Sequence, residues 1–144
     1  MLKLPSTYGA EIVHVAIQSD DAQATAAMYR DVLGYADLGT FSPKNLTAIW
    51  LFDGHTYLSV VTYHDESTAE SRALPRTPCI HHLGLEADDP AQCAKTLLGM
   101  GYQLLSPEGE MPVKFMTPDK TMFEITPRGY FHARFIEQAT PSRR

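Results

Sequence analysis

The chain contains two copies of one residue pattern, and this repeat limits the folds that it can adopt. Residues 12–21 match residues 80–89, with isoleucine, histidine and an Asp-Asp pair at corresponding places. The match sets His14 against a counterpart, His82, 68 positions further along. Because an internal repeat indicates a structural unit that occurs twice, we expect two similar modules in this chain.

Each copy continues into the same order of predicted elements. A strand is followed by a helix, for which Asp21 and Asp89 are placed as N-caps and Pro90 as the first helical residue. Paired strands separated by turn residues then close each half: 46–52 and 56–63 in the first, 114–117 and 121–126 in the second. The sequence therefore predicts an α+β fold in which a strand, a helix and a short run of strands occur twice.

The 144 residues have the length of one domain, so we expect a single domain over 1–144. Its parts are module one at 10–64, a polar linker at 65–78, module two at 79–127 and a C-terminal extension at 128–144. Segment 131–136 of that extension is too apolar to be wholly solvated. We interpret it as packing on a partner or as capping a pocket.

The charge balance argues against two classes of partner, and the cysteines indicate the redox setting. Twelve basic and 17 acidic residues give a net charge of −5, which argues against nucleic acid and anionic membranes. No apolar run approaches the ~18 residues of a membrane span, and the N-terminus has no apolar core of signal-peptide length. Cys79 and Cys93 stand far apart, which favours free thiols in a reducing, cytoplasmic setting.

Strand periodicity places His14 and His82 on corresponding faces of two strands. The residues predicted to share those faces are Ile12, Ala16 and Gln18 on the first strand and Ile80, Gly84 and Glu86 on the second, with a small residue, Ala16 or Gly84, beside each histidine. Small neighbours leave room above a strand, so this face predicts a cavity. His81 has the opposite parity and is expected to point away.

Glu124 lies in the middle of a predicted strand, where burying a carboxylate without a partner costs several kcal/mol. Together with His14 and His82 it can form a facial triad of two histidines and one carboxylate, which leaves metal positions open. Such ligands suit Fe(II), Mn(II), Zn(II) or Ni(II). The alternative is that each histidine is an ordinary hydrogen-bonded residue of the sheet.

Three segments resemble the vicinal oxygen chelate superfamily: His14–Ile17 with the following Asp-Asp, Met28–Tyr35 (MYRDVLGY) and Thr117–Glu124. That superfamily includes glyoxalase I, methylmalonyl-CoA epimerase, extradiol ring-cleavage dioxygenases and antibiotic-binding resistance proteins. The resemblance implies two βαβββ modules that form a curled, partly open mixed β-sheet barrel, with the helices on its outer face. It also implies a homodimer.

The same resemblance implies metal ligands at His14, His82 and Glu124. A fourth ligand position of the superfamily falls on Ser59, where glyoxalase I and the epimerase usually have Glu or Gln. Serine is a poor ligand for these metals, and extradiol dioxygenases do not use that position. The departure therefore favours the extradiol branch, with Fe(II) as the expected metal.

Three residues are candidates for a catalytic role, the first of them implied by the resemblance. His55 matches a catalytic histidine of the extradiol enzymes, although a solvent-exposed turn residue is the alternative interpretation. Tyr57 shares the parity of His55 and is expected to line the cavity. Lys114 stands where extradiol enzymes usually carry tyrosine, and we expect it either to pair with a substrate oxyanion or to be a solvated residue of the strand edge.

The first hypothesis is an extradiol-type dioxygenase (an oxidoreductase) that takes O2 and a small catecholic substrate chelating the metal through vicinal oxygens. The second is a metal-dependent epimerase or glyoxalase-like lyase or isomerase, for which Glu86 is a candidate base. The third is a non-catalytic protein that binds a small molecule such as an antibiotic.

Overall fold

The computed structural model describes residues 9–137, which form a single eight-stranded sheet with three α-helices. The strands are β1 Glu11–Gln18, β2 Ala36–Phe41, β3 Leu46–Phe52, β4 Tyr57–Tyr63, β5 Cys79–Ala87, β6 Gln103–Leu104, β7 Val113–Met116 and β8 Met122–Pro127. The α-helices are α1 Ala22–Ala27, α2 Ala69–Ala73 and α3 Pro90–Gly99. Segments Met28–Val32 and His132–Glu137 are π-helical.

The order of strands across the sheet is β2-β3-β4-β1-β5-β8-β7-β6. The central strands β1 and β5 pair antiparallel, β1 pairs parallel with β4, and β5 pairs parallel with β8. This arrangement confirms two βαβββ modules joined edge to edge through their first strands. The predicted curled sheet is confirmed as well, and over residues 9–137 it stays open rather than closing into a barrel.

The two module helices begin where the repeat predicts. The Asp21 carboxylate accepts a hydrogen bond from the backbone N–H of Ala24, and Asp89 accepts one from Gln92. Pro90 follows Asp89 at the start of α3, where its missing N–H costs nothing. Each cap thus sets the point at which the chain leaves the first strand of its module.

Helix α1 covers one face of the first module. Its alanines pack against large apolar side chains of β3 and β4 in a buried apolar core: Ala22, Ala26, Ile49, Leu51, Leu58 and Val60. Alternate residues of the same strands face the other way. The face without the helix is therefore free to carry a cavity.

Two β-bulges shift the predicted alternation of the central strands. Their register skips Val13 on β1 and His81 on β5, which occupy matching places in the two repeats. An extra residue turns the following side chains onto the other face. The predicted placement of Ile12 and Ile80 beside the histidines is therefore wrong, since they are 58% and 68% exposed. The predicted orientation of His81 away from the face of His82 is wrong as well, because its Nδ1 lies 2.9 Å from Nδ1 of His82.

The predicted linker and extension both carry structure. Helix α2 lies within the linker and begins with a capping box in which Thr68 and Ser71 bond reciprocally. In the extension Phe131 is only 1% exposed, so this segment packs on its own chain. The division of the chain into modules, linker and extension stays a prediction, and residues 138–144 of the extension lie outside the described range.

Two further observations concern the cysteines and the length of the helices. Cys79 and Cys93 are free thiols. Between residues 9 and 137, no helix is long and apolar enough to cross a membrane.

Candidate metal centre

His14, His82 and Glu124 come together on the face of the sheet opposite α1. They lie on β1, β5 and β8, and all three are at most 6% exposed. One potential ligand atom from each lies within 4.8 Å of the others. Strand pairing thus assembles in space the two histidines and the carboxylate that the sequence singles out.

Gly84 is the residue that lets His14 and Glu124 meet. It stands between them in the register, paired with His14 on β1 and with Glu124 on β8. A Cβ atom at this position would lie 2.5 Å from Nδ1 of His14, closer than atoms can approach. Without it, His14 Nδ1 donates to Glu124 Oε1 across 3.1 Å.

Ser59 lies on the other side of the His14 ring. Its hydroxyl group is 3.0 Å from His14 Nε2, and the serine is buried. Because Nδ1 of His14 donates to Glu124, Nε2 accepts the hydroxyl hydrogen in the neutral ring. Ser59 therefore supports the histidine in the position where the superfamily resemblance implies a fourth ligand.

Electrostatics hold this group in the protonation states that metals require. Burial raises the pKa of Glu124, but its interactions with the imidazoles of His14 and His82 outweigh this effect and hold that pKa well below its usual range. Burial lowers the pKa of His14, against the opposing effect of Glu124. At neutral pH the group is thus a carboxylate with a neutral His14 imidazole, and a metal bound through Nδ1 of His14 would replace the hydrogen that this atom donates to Glu124.

The donor set fits a divalent cation. Among the described residues, Nε2 of His82 is buried without a hydrogen-bond partner and lies 3.5 Å from Glu124 Oε2. A buried polar nitrogen without a partner is costly, and coordination of a cation would satisfy it. Two imidazoles and one carboxylate match Fe(II), Mn(II) and related ions.

His81 is a neighbour of this group that the sequence analysis missed. Its Nδ1 lies 2.9 Å from Nδ1 of His82, and its Nε2 lies 3.1 Å from the backbone oxygen of Glu70 on α2. Burial lowers the pKa of His81 to about 4, which keeps the ring neutral at pH 7. Its place beside His82 is visible in the sequence, but the bulge that turns it inward is not.

A cavity of about 200 Å³ opens above the triad. Its walls are mainly apolar and aromatic: Phe41, Leu46, Ala48, Trp50, Val61, Tyr63, Pro112 and Phe131. Charged side chains also line it, namely Glu70, Lys114 and Arg134. The volume lies below the ~300–1,000 Å³ of sites for drug-sized ligands, so the space suits a small molecule.

Comparison with known proteins decides the family. The profile of the glyoxalase/bleomycin resistance protein/dioxygenase superfamily matches residues 13–117. The chain belongs to this superfamily. No curated protein sequence matches it. Members of the superfamily commonly bind divalent metals, and the buried triad is a group that can hold one.

Solved structures show the same fold at low identity. A hypothetical protein from Bacillus halodurans superposes with a TM-score of 0.68 at 13% identity, covering 83% of this chain and 95% of that one. Methylmalonyl-CoA epimerase from Mycobacterium tuberculosis superposes with a TM-score of 0.63 at 19% identity, covering 85% of this chain and 91% of the epimerase. A mutant 4-hydroxymandelate synthase from Streptomyces coelicolor gives 0.68 at 17%, covering 81% of this chain and 37% of that longer one.

The three residues predicted to be catalytic lie in different surroundings. His55 is exposed in the β3–β4 turn and is not among the residues that line the cavity. Tyr57 is buried, and its ring stacks on that of Phe52 with 4.6 Å between centroids. It also packs against the ring of Phe131, 5.5 Å away. Only Lys114 reaches the cavity, where its ammonium group pairs with the carboxylate of Glu70.

The base considered for an epimerase also lies elsewhere. Glu86 is buried, and its two oxygens accept hydrogen bonds from the backbone N–H groups of Gly129 and Phe131. It does not line the cavity. Glu86 thus anchors the C-terminal extension, whose Phe131 ring lies 5.1 Å from that of His14.

Arg134 of the same extension is a second residue that sequence reasoning missed. Its guanidinium carbon lies 5.7 Å from the centroid of the Trp50 ring, a cation–π arrangement at the cavity. Basic residues in a C-terminal tail are usually solvated, so the sequence carries no signal for this placement.

Proposed function

We propose that this chain is a metal-dependent dioxygenase of the extradiol type, with His14, His82 and Glu124 as the metal ligands. The observation that carries the proposal is the buried triad with Ser59, rather than a fourth ligand, beside His14. Three ligands on one side of an octahedral ion leave room for a bidentate substrate and for O2. Fe(II) is the expected ion, and Mn(II), Zn(II) and Ni(II) suit the same donors.

The cavity supports a small aromatic substrate with vicinal oxygens. A bound Fe(II) or Mn(II) ion would supply Lewis acidity toward the chelating oxygens and a site at which substrate and O2 meet. Trp50 and Phe131 offer flat apolar walls to an aromatic ring. They also exclude water from the side of the cavity that faces His14.

Two cations lie at the cavity beside the carboxylates of Glu70 and Glu124. Lys114 and Arg134 both line it, and Lys114 is the residue that we assign to a substrate oxyanion. The Glu70 carboxylate holds Lys114 in place and is available to accept a proton from the substrate. The catalytic roles implied for His55 and Tyr57 stay predictions and form no part of this proposal, since neither lines the cavity.

Oxygen consumption tests the proposal directly. Protein purified without oxygen and loaded with Fe(II) or Mn(II) should consume O2 with catechol or 3,4-dihydroxybenzoate and form a yellow ring-cleavage product. The Glu124→Gln variant should lose O2 consumption and product formation. The His64→Ala variant should retain both, because His64 is exposed and hydrogen-bonded to Thr47. A metal-loaded protein that consumes no O2 with any catechol would contradict the proposal.

The second candidate is a metal-dependent epimerase or lyase. The Glu70 carboxylate at the cavity favours it, because enolising a chelated carbonyl compound requires a base beside the substrate carbon. Such an enzyme would exchange the α-hydrogen of a small 2-oxo or 2-hydroxy acid with deuterium in D2O, as NMR would show. Loss of that exchange in Glu70→Gln, without any O2 uptake, would select this reaction class.

A further inference from the structure

The bulge at His81 builds a chain of hydrogen bonds that ends at the candidate metal site. It turns two consecutive imidazoles toward the same side of β5, and both are buried. The chain runs from the backbone oxygen of Glu70 to Nε2 of His81, and from Nδ1 of His81 to Nδ1 of His82. The remaining nitrogen, Nε2 of His82, faces Glu124.

A backbone carbonyl at one end fixes the direction of every bond in this chain. A carbonyl oxygen only accepts, so Nε2 of His81 carries the hydrogen. A neutral imidazole has one N–H, which makes Nδ1 of His81 an acceptor. Nδ1 of His82 must then donate to it. The lone pair of His82 is thereby left on Nε2, the atom that faces Glu124.

The reverse assignment gains little at one end of the chain and is unfavourable at the other. With the hydrogen on Nε2, His82 would donate to Glu124 only across 3.5 Å, which is long for a hydrogen bond. His81 would then donate from Nδ1 and turn the lone pair of its Nε2 toward the Glu70 carbonyl oxygen at 3.1 Å. Two acceptors would then face each other at 3.1 Å, a closer and more costly approach than the 3.5 Å between the Nε2 lone pair of His82 and Glu124 in the favoured assignment.

We propose that His81 is a positioning residue that holds His82 in the tautomer with a free Nε2 lone pair, ready to bind the metal. This inference rests on the metal site of the proposed function, but it concerns a residue outside the triad. Ligand histidines commonly give their second N–H to such a partner, and losing it costs ~10–100-fold in metal affinity. Here the partner is itself a histidine, held by the linker helix α2.

The tautomer of His82 in the metal-free protein is the first test, because it needs no variant. Nitrogen-15 NMR distinguishes a protonated ring nitrogen from one with a lone pair. We expect His82 to carry its hydrogen on Nδ1 at pH 7.5, and His81 to carry its hydrogen on Nε2. A metal-free protein with the His82 hydrogen on Nε2 would overturn the inference.

Two variants then separate the role of His81 from simple packing. In His81→Asn the amide oxygen takes the place of Nδ1 and can still accept from His82. His81→Gln instead places its amide group near the position of Nε2, keeps the donor to Glu70 and loses that acceptor. We expect His81→Gln to lower Mn(II) affinity by ~10–100-fold, and His81→Asn to keep most of the wild-type affinity. The exposed His64→Ala variant is the control for removing an imidazole.

The outcomes distinguish this inference from the proposed function. If the wild-type protein binds no Mn(II), Fe(II) or Zn(II), the metal site itself is wrong. If the wild type binds metal and both His81 variants bind it equally well, the site stands and the role of His81 is refuted. Circular dichroism and unfolding midpoints verify that each variant is folded when its affinity is measured.

Discussion

Gly84 is the residue on which the geometry of the triad depends most. In the sheet it separates His14 from Glu124, and the absence of a side chain is what lets their atoms approach to 3.1 Å. Its requirement is one of space, since its backbone does not adopt a positive φ. A methyl group here meets a buried ring that has Ser59 and Phe131 on its other sides.

Gly84→Ala should therefore destabilise the protein and weaken metal binding together. Overpacking of a buried site costs about 1–3 kcal/mol, measurable as a lower urea midpoint. Gly99→Ala is the matched control, because nothing lies within 4 Å of its added Cβ atom and its φ is not positive. A fully stable Gly84→Ala variant with normal metal affinity would show that His14 is not held as described.

The repeat made the triad predictable at the level of single residues. His14 and His82 occur at the same place of the same motif, and Glu124 is a charged residue inside an apolar strand. His81 was not predictable, because a bulge depends on how two distant strands pair. Strict alternation therefore placed its ring on the wrong face.

The β3–β4 hairpin is an element whose turn chemistry is visible in both sequence and structure. The Asp53 carboxylate accepts hydrogen bonds from the backbone N–H groups of Thr56 and His55, and Gly54 has φ of 100°. These two bonds lower the pKa of Asp53 below its ordinary value of 3.8. The turn brings β4, and with it Ser59, into register with β1.

Asp53→Ala should lower the free energy of unfolding by about 1 kcal/mol at pH 7. The loss is smaller than for a buried group, because the turn is exposed and water can replace the two hydrogen bonds. Since the folded pKa is the lower one, the contribution of the carboxylate is present above pH 4. It is lost as the pH falls through the folded value. Urea unfolding of the wild type and of Asp53→Ala should show that the difference between their free energies of unfolding is smaller at pH 3 than at pH 7. A constant difference would mean that the charge of Asp53 does not contribute.

The C-terminal extension is anchored by one buried carboxylate. Glu86 accepts hydrogen bonds from the N–H groups of Gly129 and Phe131, which hold Phe131 over His14. Glu86→Ala leaves both donors unpaired, at a cost of about 1–3 kcal/mol. We expect faster hydrogen exchange at those two amides, whereas Glu86→Gln, which keeps one oxygen, should change it less. Unchanged exchange in Glu86→Ala would refute this anchoring.

Helix α2 is an element that the sequence did not predict. It has only five residues and lies in a polar segment with the composition of a linker. Its contacts with the rest of the chain hold it in place, since Glu70 gives its carbonyl to His81 and its carboxylate to Lys114. Interactions between residues so distant in sequence leave no local pattern to detect.

At the scale of the whole molecule, the candidate site lies where the two modules join. β1 and β5, the first strands of the repeats, pair antiparallel and bring one histidine from each module to a shared face. The second module adds Glu124, and the first adds Ser59 and the Trp50 wall. The repeat therefore indicated two modules, and their pairing explains why neither half alone carries the triad.

Metal binding measured by titration calorimetry, without oxygen, tests the central claim most directly. We expect one Fe(II) or Mn(II) ion per wild-type chain. Affinity should fall by at least tenfold in folded His14→Ala, His82→Ala and Glu124→Gln, and should stay unchanged in His64→Ala. A wild type that binds none of the divalent ions, or triad variants that bind as tightly as the wild type, would contradict the account.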